Sequence, residues 1–417
     1  MHACPLRVPG VGTSGGMSVY IRELSRALSR RNAWVDIFTL CHQGAEEEVQ
    51  SIGEGVRLVH LPLEGAAGAR KEDPFSYLPQ FVSAVQDHVE RHGIAYDILH
   101  SHYWLSALAG ERLKASLKIP HVVTFHTLAR VKELADPAHP EPCVRKRAEE
   151  ATSRAADLTI AFTDEERDNL GALYGVEEGR IRVVPAGLDS TLFSPVDMAQ
   201  ARSRLGLRTA KVLLFAGRLD PIKGVDTLLR AFALMDKDAA LIVLGGSSGE
   251  GDELARLKAL ASDLGIAGRV EFRPPVPQWE LPYYYSAATA TVVPSRHESF
   301  GLVAVESLAC GTPVVASNRG GLRTTVRDGE NGLLVYDLSP EGFAARLTEL
   351  LGDEVLERRL RSRARESVRG YSWEAVGEAV LAEYETLVSC ASAPAGVAGQ
   401  STCDGSARIC GNPRRIE

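Results

Sequence analysis

Lys211-Val-Leu-Leu-Phe-Ala216 runs straight into Gly217-Arg218-Leu219-Asp220-Pro221-Ile222-Lys223-Gly224, and this junction decides the fold. The apolar run is too short for a helix and too continuous for a strand with one wet face, so it reads as a strand covered on both sides. Such strands belong to parallel sheets wrapped by helices, and open sheets of that kind bind ligands beyond the carboxyl ends of their strands. The loop at this end carries two cations. Arg218 can fork onto a pair of phosphate oxygens, and Lys223 can add a point charge. A solvated surface pair is the competing reading, and the position at a strand end weighs against it.

The same alternation of strand and helix extends in both directions. Strand candidates are 34–40, 56–61, 97–100, 121–125, 158–162 and 181–184 in the first half, then 211–216, 240–244, 270–272, 290–293, 313–316 and 333–335 in the second. An α/β chain with two parallel sheets follows, one sheet for each half. Pro185-Ala-Gly187 and Phe193-Ser-Pro195 punctuate the middle, which sets a first domain at 1–187 and a second at 188–371. Ser372 before Trp373-Glu374-Ala375 reads as a helix cap, and the helix 372–389 is expected to cross back over the first domain. Residues 390–417 are rich in Ala, Gly and Ser and are expected to form a disordered tail. A buried strand is expected ahead of the first glycine loop, yet Met1-His2-Ala3-Cys4-Pro5 supplies none before Gly15-Gly16. Either the start is misassigned or the first sheet lacks a strand.

At 417 residues and 45% hydrophobic, the chain can bury two large cores. Lys and Arg number 47 against 54 Asp and Glu, a net charge of -7, so there is no global basic field to hold nucleic acid. Phosphate must be met locally, in a small-molecule partner. The seven cysteines are scattered without a CxxC pair, which fits a reducing, cytoplasmic setting. No apolar run is long enough to span a bilayer, while peripheral membrane contact stays open. A monomer and a homodimer both fit.

Three further segments carry chemistry. In Pro294-Ser-Arg-His-Glu298-Ser299-Phe300-Gly301-Leu302-Val-Ala-Val-Glu306 a strand ends and a helix begins near Gly301, so free N–H groups of its first turn face a diphosphate. Glu306, a turn and a half into that helix, suits the paired hydroxyls of a ribose, and Glu298 on the loop suits the hydroxyls of a sugar. Two solvated carboxylates would be the alternative, but Glu306 stands among Val303, Val305 and Leu308, where an unpaired charge is costly. Gly15-Gly16-Met17-Ser18-Val19-Tyr20 opens a helix whose apolar face holds Val19, Leu24, Ala27 and Leu28. Its glycines admit an anion to the helix N-terminus or simply make a tight turn. Finally, His100-Ser-His102-Tyr103-Trp104 and His121-Val-Val-Thr-Phe-His126-Thr127 each end a strand. His100 and His102 share a face and could ligate a metal, but no third ligand is evident and hydrogen-bonded histidines are commoner there, so no metal is expected. His126 and Thr127 are placed to line the cleft.

Together these residues resemble the retaining glycosyltransferases of family 4, or group 1, which contain sucrose synthases and many bacterial sugar transferases. The likeness runs from about Pro5 to Val388 and rests on Gly217-Arg218 with Lys223-Gly224 and on two glutamates separated by seven residues, Glu298 and Glu306. It implies the GT-B architecture, two Rossmann-like doubly wound domains facing a cleft. It also implies a nucleotide-diphosphate sugar donor, UDP-glucose or UDP-N-acetylglucosamine, and no obligatory cofactor or metal. Gly15, Gly16, Arg218, Lys223, Glu298, Ser299, Phe300, Gly301, Leu302 and Glu306 would hold the donor. His126, Arg218, Lys223 and Glu298 would serve catalysis, which proceeds with retention by same-face attack.

Two subgroups are closest. Ser14-Gly15-Gly16-Met17-Ser18-Val19-Tyr20, Ser101-His102-Tyr103-Trp104 and His126-Thr127-Leu128-Ala129-Arg130-Val131-Lys132 look like the inositol-phosphate N-acetylglucosaminyltransferases of mycothiol synthesis. Arg70-Lys71-Glu72-Asp73-Pro74 and Tyr77-Leu78-Pro79-Gln80-Phe81 look more like sucrose-phosphate synthases. Resemblance to the first subgroup implies an acceptor phosphate held by Lys71, Tyr103, Thr127 and an arginine within Arg145-Lys146-Arg147, taken as Arg145. The chain has Thr13-Ser14 where the family has an acidic residue or similar polar group before the glycine pair. A dinucleotide oxidoreductase would need GxGxxG in the first glycine loop, which is absent. A non-catalytic nucleotide-sugar-binding protein is opposed by the intact Arg218, Lys223, Glu298 and Glu306.

Overall fold

The computed structural model describes residues 4–6, 15–40, 48–63, 75–236, 238–246 and 253–392. Its first half carries β1 (Val35–Leu40), β2 (Val49–Gly53), β3 (Val56–Leu61), β4 (Leu99–His102), β5 (His121–Thr124), β6 (Leu158–Ala161) and β7 (Ile181–Val183). The second carries β8 (Lys211–Ala216), β9 (Ala239–Leu244), β10 (Val270–Arg273), β11 (Ala290–Val293), β12 (Val314–Ser317) and β13 (Gly332–Val335). Each of the twelve segments read as strands holds one. The strand not foreseen is β2, which pairs antiparallel with β3 across Glu54-Gly55 and is exposed along most of its length. An edge strand with so little buried surface leaves no apolar run to read.

The second sheet has the order β10-β9-β8-β11-β12-β13 and is parallel throughout. This is the doubly wound order, and its switch point lies between β8 and β11. Connections leaving those two strands go to opposite sides and leave a crevice at their carboxyl ends. On one face of the sheet Leu213, Val243 and Val315 pack beneath the helices Val225–Ala233 and Pro340–Gly352, with Phe232 and Phe343 wholly buried between.

In the first half β4-β5-β6-β7 form one parallel sheet, while β1, β3 and β2 form another. No strand among the described residues joins β1 to β4. The two sheets are held side by side by Tyr96, whose hydroxyl donates to Asp36 of β1 and whose ring meets Phe38 edge-on.

The helix Trp373–Ser392 starts where Ser372 Oγ accepts the Ala375 N–H at 3.1 Å, and it lies against the first-half helix Gly16–Ser29. It runs three residues into the stretch 390–417 expected as tail; the rest of that stretch lies outside the described residues. Arg30–Glu374 and Arg31–Glu378 bridge the contact and Arg182–Glu383 ties the helix to β7, but these exposed pairs contribute little. The adhesion comes from buried Trp373, Val376 and Val380, with the Trp373 ring 5.5 Å from that of Tyr20.

The chain passes between the halves beside this helix. The Leu188 N–H donates to the Tyr371 carbonyl, and Gly187 lies flat against the Trp373 indole. A Cβ at 187 would stand 2.3 Å from Trp373 Cδ2. Gly187→Ala therefore forces an indole packed against Tyr20 to move, and a thermal melt should show a loss of about 1–3 kcal/mol, with no such loss for Gly179→Ala, where a Cβ meets nothing.

Candidate active site

The two halves face one another across a cavity of about 370 Å³. Its second-half wall is built at the switch point. After β8 the chain turns through Gly217 and Arg218 to Lys223, and after β11 it turns through Ser295, His297 and Glu298 to the helix Leu302–Ala309. The Arg296 N–H donates to the Ile222 carbonyl at 2.8 Å, which pins the two loops together. Gly224 makes this approach feasible: it adopts φ +69°, and a Cβ there would lie 2.2 Å from the Pro294 carbonyl oxygen. On the other side the Glu298 carbonyl accepts the Gly321 N–H at 2.8 Å.

Pinned in this way, Lys223 Nζ lies 2.5 Å from Glu298 Oε2, and Ser295 Oγ donates to the same oxygen at 3.3 Å. Burial works to raise the Glu298 pKa, but the charge and hydrogen bond of Lys223 hold it below the usual carboxylate range. No side chain among the described residues pairs with the Arg218 guanidinium at the mouth of the crevice. Glu306 is buried and accepts from the Tyr285 hydroxyl at 2.7 Å. Burial pushes its carboxyl up to about 7, with Tyr285 opposing, so it titrates near neutral pH.

The first-half wall comes from strand ends and helix starts. The helix Gly16–Ser29 points its N-terminus at the cavity with Gly15 as cap, and a Cβ at Gly16 would be 3.1 Å from Leu302 across the cleft. After β4 and β5, Tyr103 and His126 take φ +76° and +63°, a left-handed conformation that costs a residue with a side chain about 1–3 kcal/mol. Both strained residues line the cavity.

Arg145 is 4% exposed and has its guanidinium held on every side: Nε to Glu149 at 2.7 Å, Nη1 to Glu141 at 2.8 Å, Nη2 to Thr127 Oγ1 at 2.8 Å. Its Cζ stands 4.9 Å from the Tyr103 ring centre. Glu149 in turn accepts from Tyr174 and from the Ala129 N–H, so the arginine is anchored to the body of the domain. Lys146 turns away to Glu133 and Arg147 is exposed, which leaves Arg145 as the arginine of that triplet at the cavity.

Every candidate donor, acceptor and catalytic residue among the described residues therefore lines this one cavity: Gly15, Gly16, Tyr103, His126, Thr127, Arg145, Arg218, Lys223, Glu298, Ser299, Phe300, Gly301, Leu302 and Glu306. Lys71 lies outside the described residues. Sequence reasoning gave no role to Lys132 or His297, two further members of the site. Lys132 comes from the short helix Ala129–Ala135 and pairs with Glu141, and His297 faces it from the other half. Burial pushes the His297 imidazole down to about 4; Glu298 opposes this, and Lys223, Lys132 and Arg145 add to it. Three cations thus surround a neutral histidine. Position beside Glu298 was the one signal in the sequence that pointed to His297. The histidines considered as metal ligands are engaged otherwise, His100 with Tyr384 and Thr124 and His102 with His126.

A doubly wound parallel sheet whose switch point opens onto a second α/β unit, with cations, a helix N-terminus and a buried glutamate at the crevice, defines a GT-B glycosyltransferase. Residues 14–192 match Glycosyltransferase Family 4 and residues 197–367 match Glycosyl transferases group 1. The D-inositol 3-phosphate glycosyltransferase of Xylanimonas cellulosilytica is 41% identical over 394 residues, covering 92% of this chain and 94% of that protein. The protein of the same name from Thermomonospora curvata is 43% identical over 402 residues, covering 92% and 93%. Among solved structures, sucrose-phosphate synthase from Thermosynechococcus elongatus superposes with a TM-score of 0.87 at 32% identity over 94% of this chain and 98% of that one. Anabaena HepE, crystallised with UDP and glucose, shares the fold with a TM-score of 0.74 at 21% identity, over 91% of this chain and 100% of that one. The chain belongs to the glycosyltransferases of family 4, group 1.

The Tyr285–Glu306 bond is open to direct titration. Tyr285→Phe removes the hydrogen bond that favours the ionised carboxylate, so the Glu306 pKa rises and a smaller share of the carboxyl is charged at neutral pH. Carboxyl carbon chemical shifts followed against pH should report this, and an unmoved midpoint would remove Tyr285 as the group that sets it.

Proposed function

We propose that the chain transfers a hexosyl group, with retention, from a uridine diphosphate sugar to an inositol phosphate. The observation that carries this reading is the gathering of Tyr103, Thr127, Lys132 and Arg145 on one wall of the cavity, opposite His297. Hydroxyls and cations so grouped suit a phosphate dianion, and Lys71 is proposed as a further cation for it. The names of the relatives at 41% and 43% identity support the choice of acceptor. In this reading residues 1–187 hold the acceptor and 188–371 the donor, with glucose or N-acetylglucosamine as the transferred sugar. Likeness to a sucrose-phosphate synthase favours fructose 6-phosphate as the second acceptor reading.

Glu306 accepts the ribose hydroxyls, and Glu298 accepts hydroxyls of the sugar. As the bond from the anomeric carbon to the phosphate oxygen breaks, the electron pair stays on the diphosphate. Arg218, Lys223 and the N–H groups at Gly16 and Leu302 stabilise the charge that develops there. The acceptor hydroxyl attacks the same face, and its proton passes to the departing phosphate oxygen. His126 stands beside the reacting carbon.

Incubation with UDP-glucose and UDP-N-acetylglucosamine, each with inositol phosphate, fructose 6-phosphate and their dephosphorylated forms, identifies the product by mass. Equal use of the dephosphorylated acceptors would sink the phosphate reading. Lys132→Met should raise the acceptor KM about tenfold while donor hydrolysis is unchanged, as expected for one charge-assisted contact of about 1.5 kcal/mol. For the donor, an ionised Glu306 accepts ribose hydroxyls and its protonated form does so poorly. Donor affinity is therefore full above pH 7 and declines as pH falls through about 7. Glu306→Gln should weaken binding about tenfold and abolish that pH dependence, read by calorimetry at several pH values.

A further inference from the structure

A line of rings runs back from His126 at the first-half wall of the cavity, and the reaction above uses none of the others. His100 and His102 project from the same face of β4, with ring centres 4.2 Å apart. His100 is fixed at both nitrogens: Nε2 is 2.9 Å from Thr124 Oγ1 on β5, and Nδ1 meets the hydroxyl of Tyr384 on the crossing helix. His102 Nδ1 is 3.0 Å from His126 Nε2. The Tyr20 ring stands edge-on to both, at 5.8 Å from His102 and 5.2 Å from His126.

A hydrogen bond between two imidazole nitrogens needs one N–H and one lone pair. Burial, with His126 adding to it, holds the His102 pKa well below its ordinary value, so His102 is neutral and carries a single N–H. One shared bond then fixes the tilt of the His126 ring and couples the two tautomers, since one ring must lend its proton and the other its lone pair. This matters because His126 has a left-handed backbone, φ +63°, which a residue with a side chain adopts only when its surroundings enforce it.

We propose that His102 is a positioning residue for the transfer: it holds the His126 imidazole in one orientation at the reacting carbon and couples its tautomer to that of His102. His100, Thr124 and Tyr384 brace it from behind. The proposal rests on the placement of His126 beside that carbon and goes beyond it by assigning the group that sets its geometry.

The test uses the full chain with UDP-sugar and inositol phosphate. His102→Leu should lower kcat about 10- to 100-fold, as expected for a displaced catalytic group, with KM for both substrates within about twofold of the original. His102→Asn carries an amide nitrogen near the position of Nδ1 and should recover most of the loss, whereas His102→Gln, which reaches too far, should not. In a His126→Ala background His102→Leu should have no further effect, because it acts through the missing ring. Unchanged kcat in His102→Leu, or equal losses in both backgrounds, overturns the proposal. Should the leucine variant fail to fold, the Asn and Gln variants decide the matter, and equal activity of the two overturns it. If His126→Ala alone leaves kcat intact, the placement of His126 falls, and this proposal with it, a result separable from failure at His102 alone.

Discussion

The site depends on one backbone hydrogen bond, from the Arg296 N–H to the Ile222 carbonyl, at the point where β8 and β11 part. Neighbouring strands whose connections leave in opposite directions open a crevice, and without a tie the two loops above it would be independent. The tie brings residues 75 apart in sequence, Lys223 and Glu298, within 2.5 Å. It also aims the N-terminus of the helix Leu302–Ala309 into the same space and sets Glu306 one and a half turns below. The chemistry of this wall is thus a consequence of sheet order, expressed through a few loop atoms.

The opposite wall is organised differently. Its key residues sit on strained backbone at strand ends, and the strain is opposed by buried networks rather than by a sheet crevice. Arg145 is bonded by Glu141, Glu149 and Thr127, and Glu149 is itself bonded by Tyr174 and Ala129. A buried arginine of this kind is costly unless every donor is satisfied, and satisfying them makes it rigid. Its charge is largely balanced by the two glutamates, so it offers geometry and hydrogen bonds as much as net field.

How much of this was legible follows from the distance over which each feature is determined. The apolar run before Gly217, the helix start at Gly301 and the buried setting of Glu306 are local, and each could be read from a dozen residues. The doubly wound order was implied by the alternation of strands and helices, and the resemblance to a known family sharpened it to GT-B. Lys132 escaped notice because its reach depends on how the helix Ala129–Ala135 docks, and His297 because three cations from three other segments define its surroundings. The Lys223–Glu298 pairing and the contact between His102 and His126 are tertiary facts with no local signature. The strand β2 was unreadable for a simpler reason, since an exposed edge carries no apolar pattern.

The crossing helix bears on how the chain folds as it is made. Trp373, Val376 and Val380 complete a core whose other side is Tyr20, Leu24 and Leu28, so the first-half unit is closed by residues synthesised about 350 positions later. During translation that unit emerges with a bare apolar flank, and it must wait for the entire second sheet to be made before the flank is covered. The second unit has no such debt: its six strands are contiguous in sequence and can assemble as soon as they leave the ribosome. The half that emerges first is therefore the one whose core is finished last, when the helix made after the second sheet reaches back to seal it.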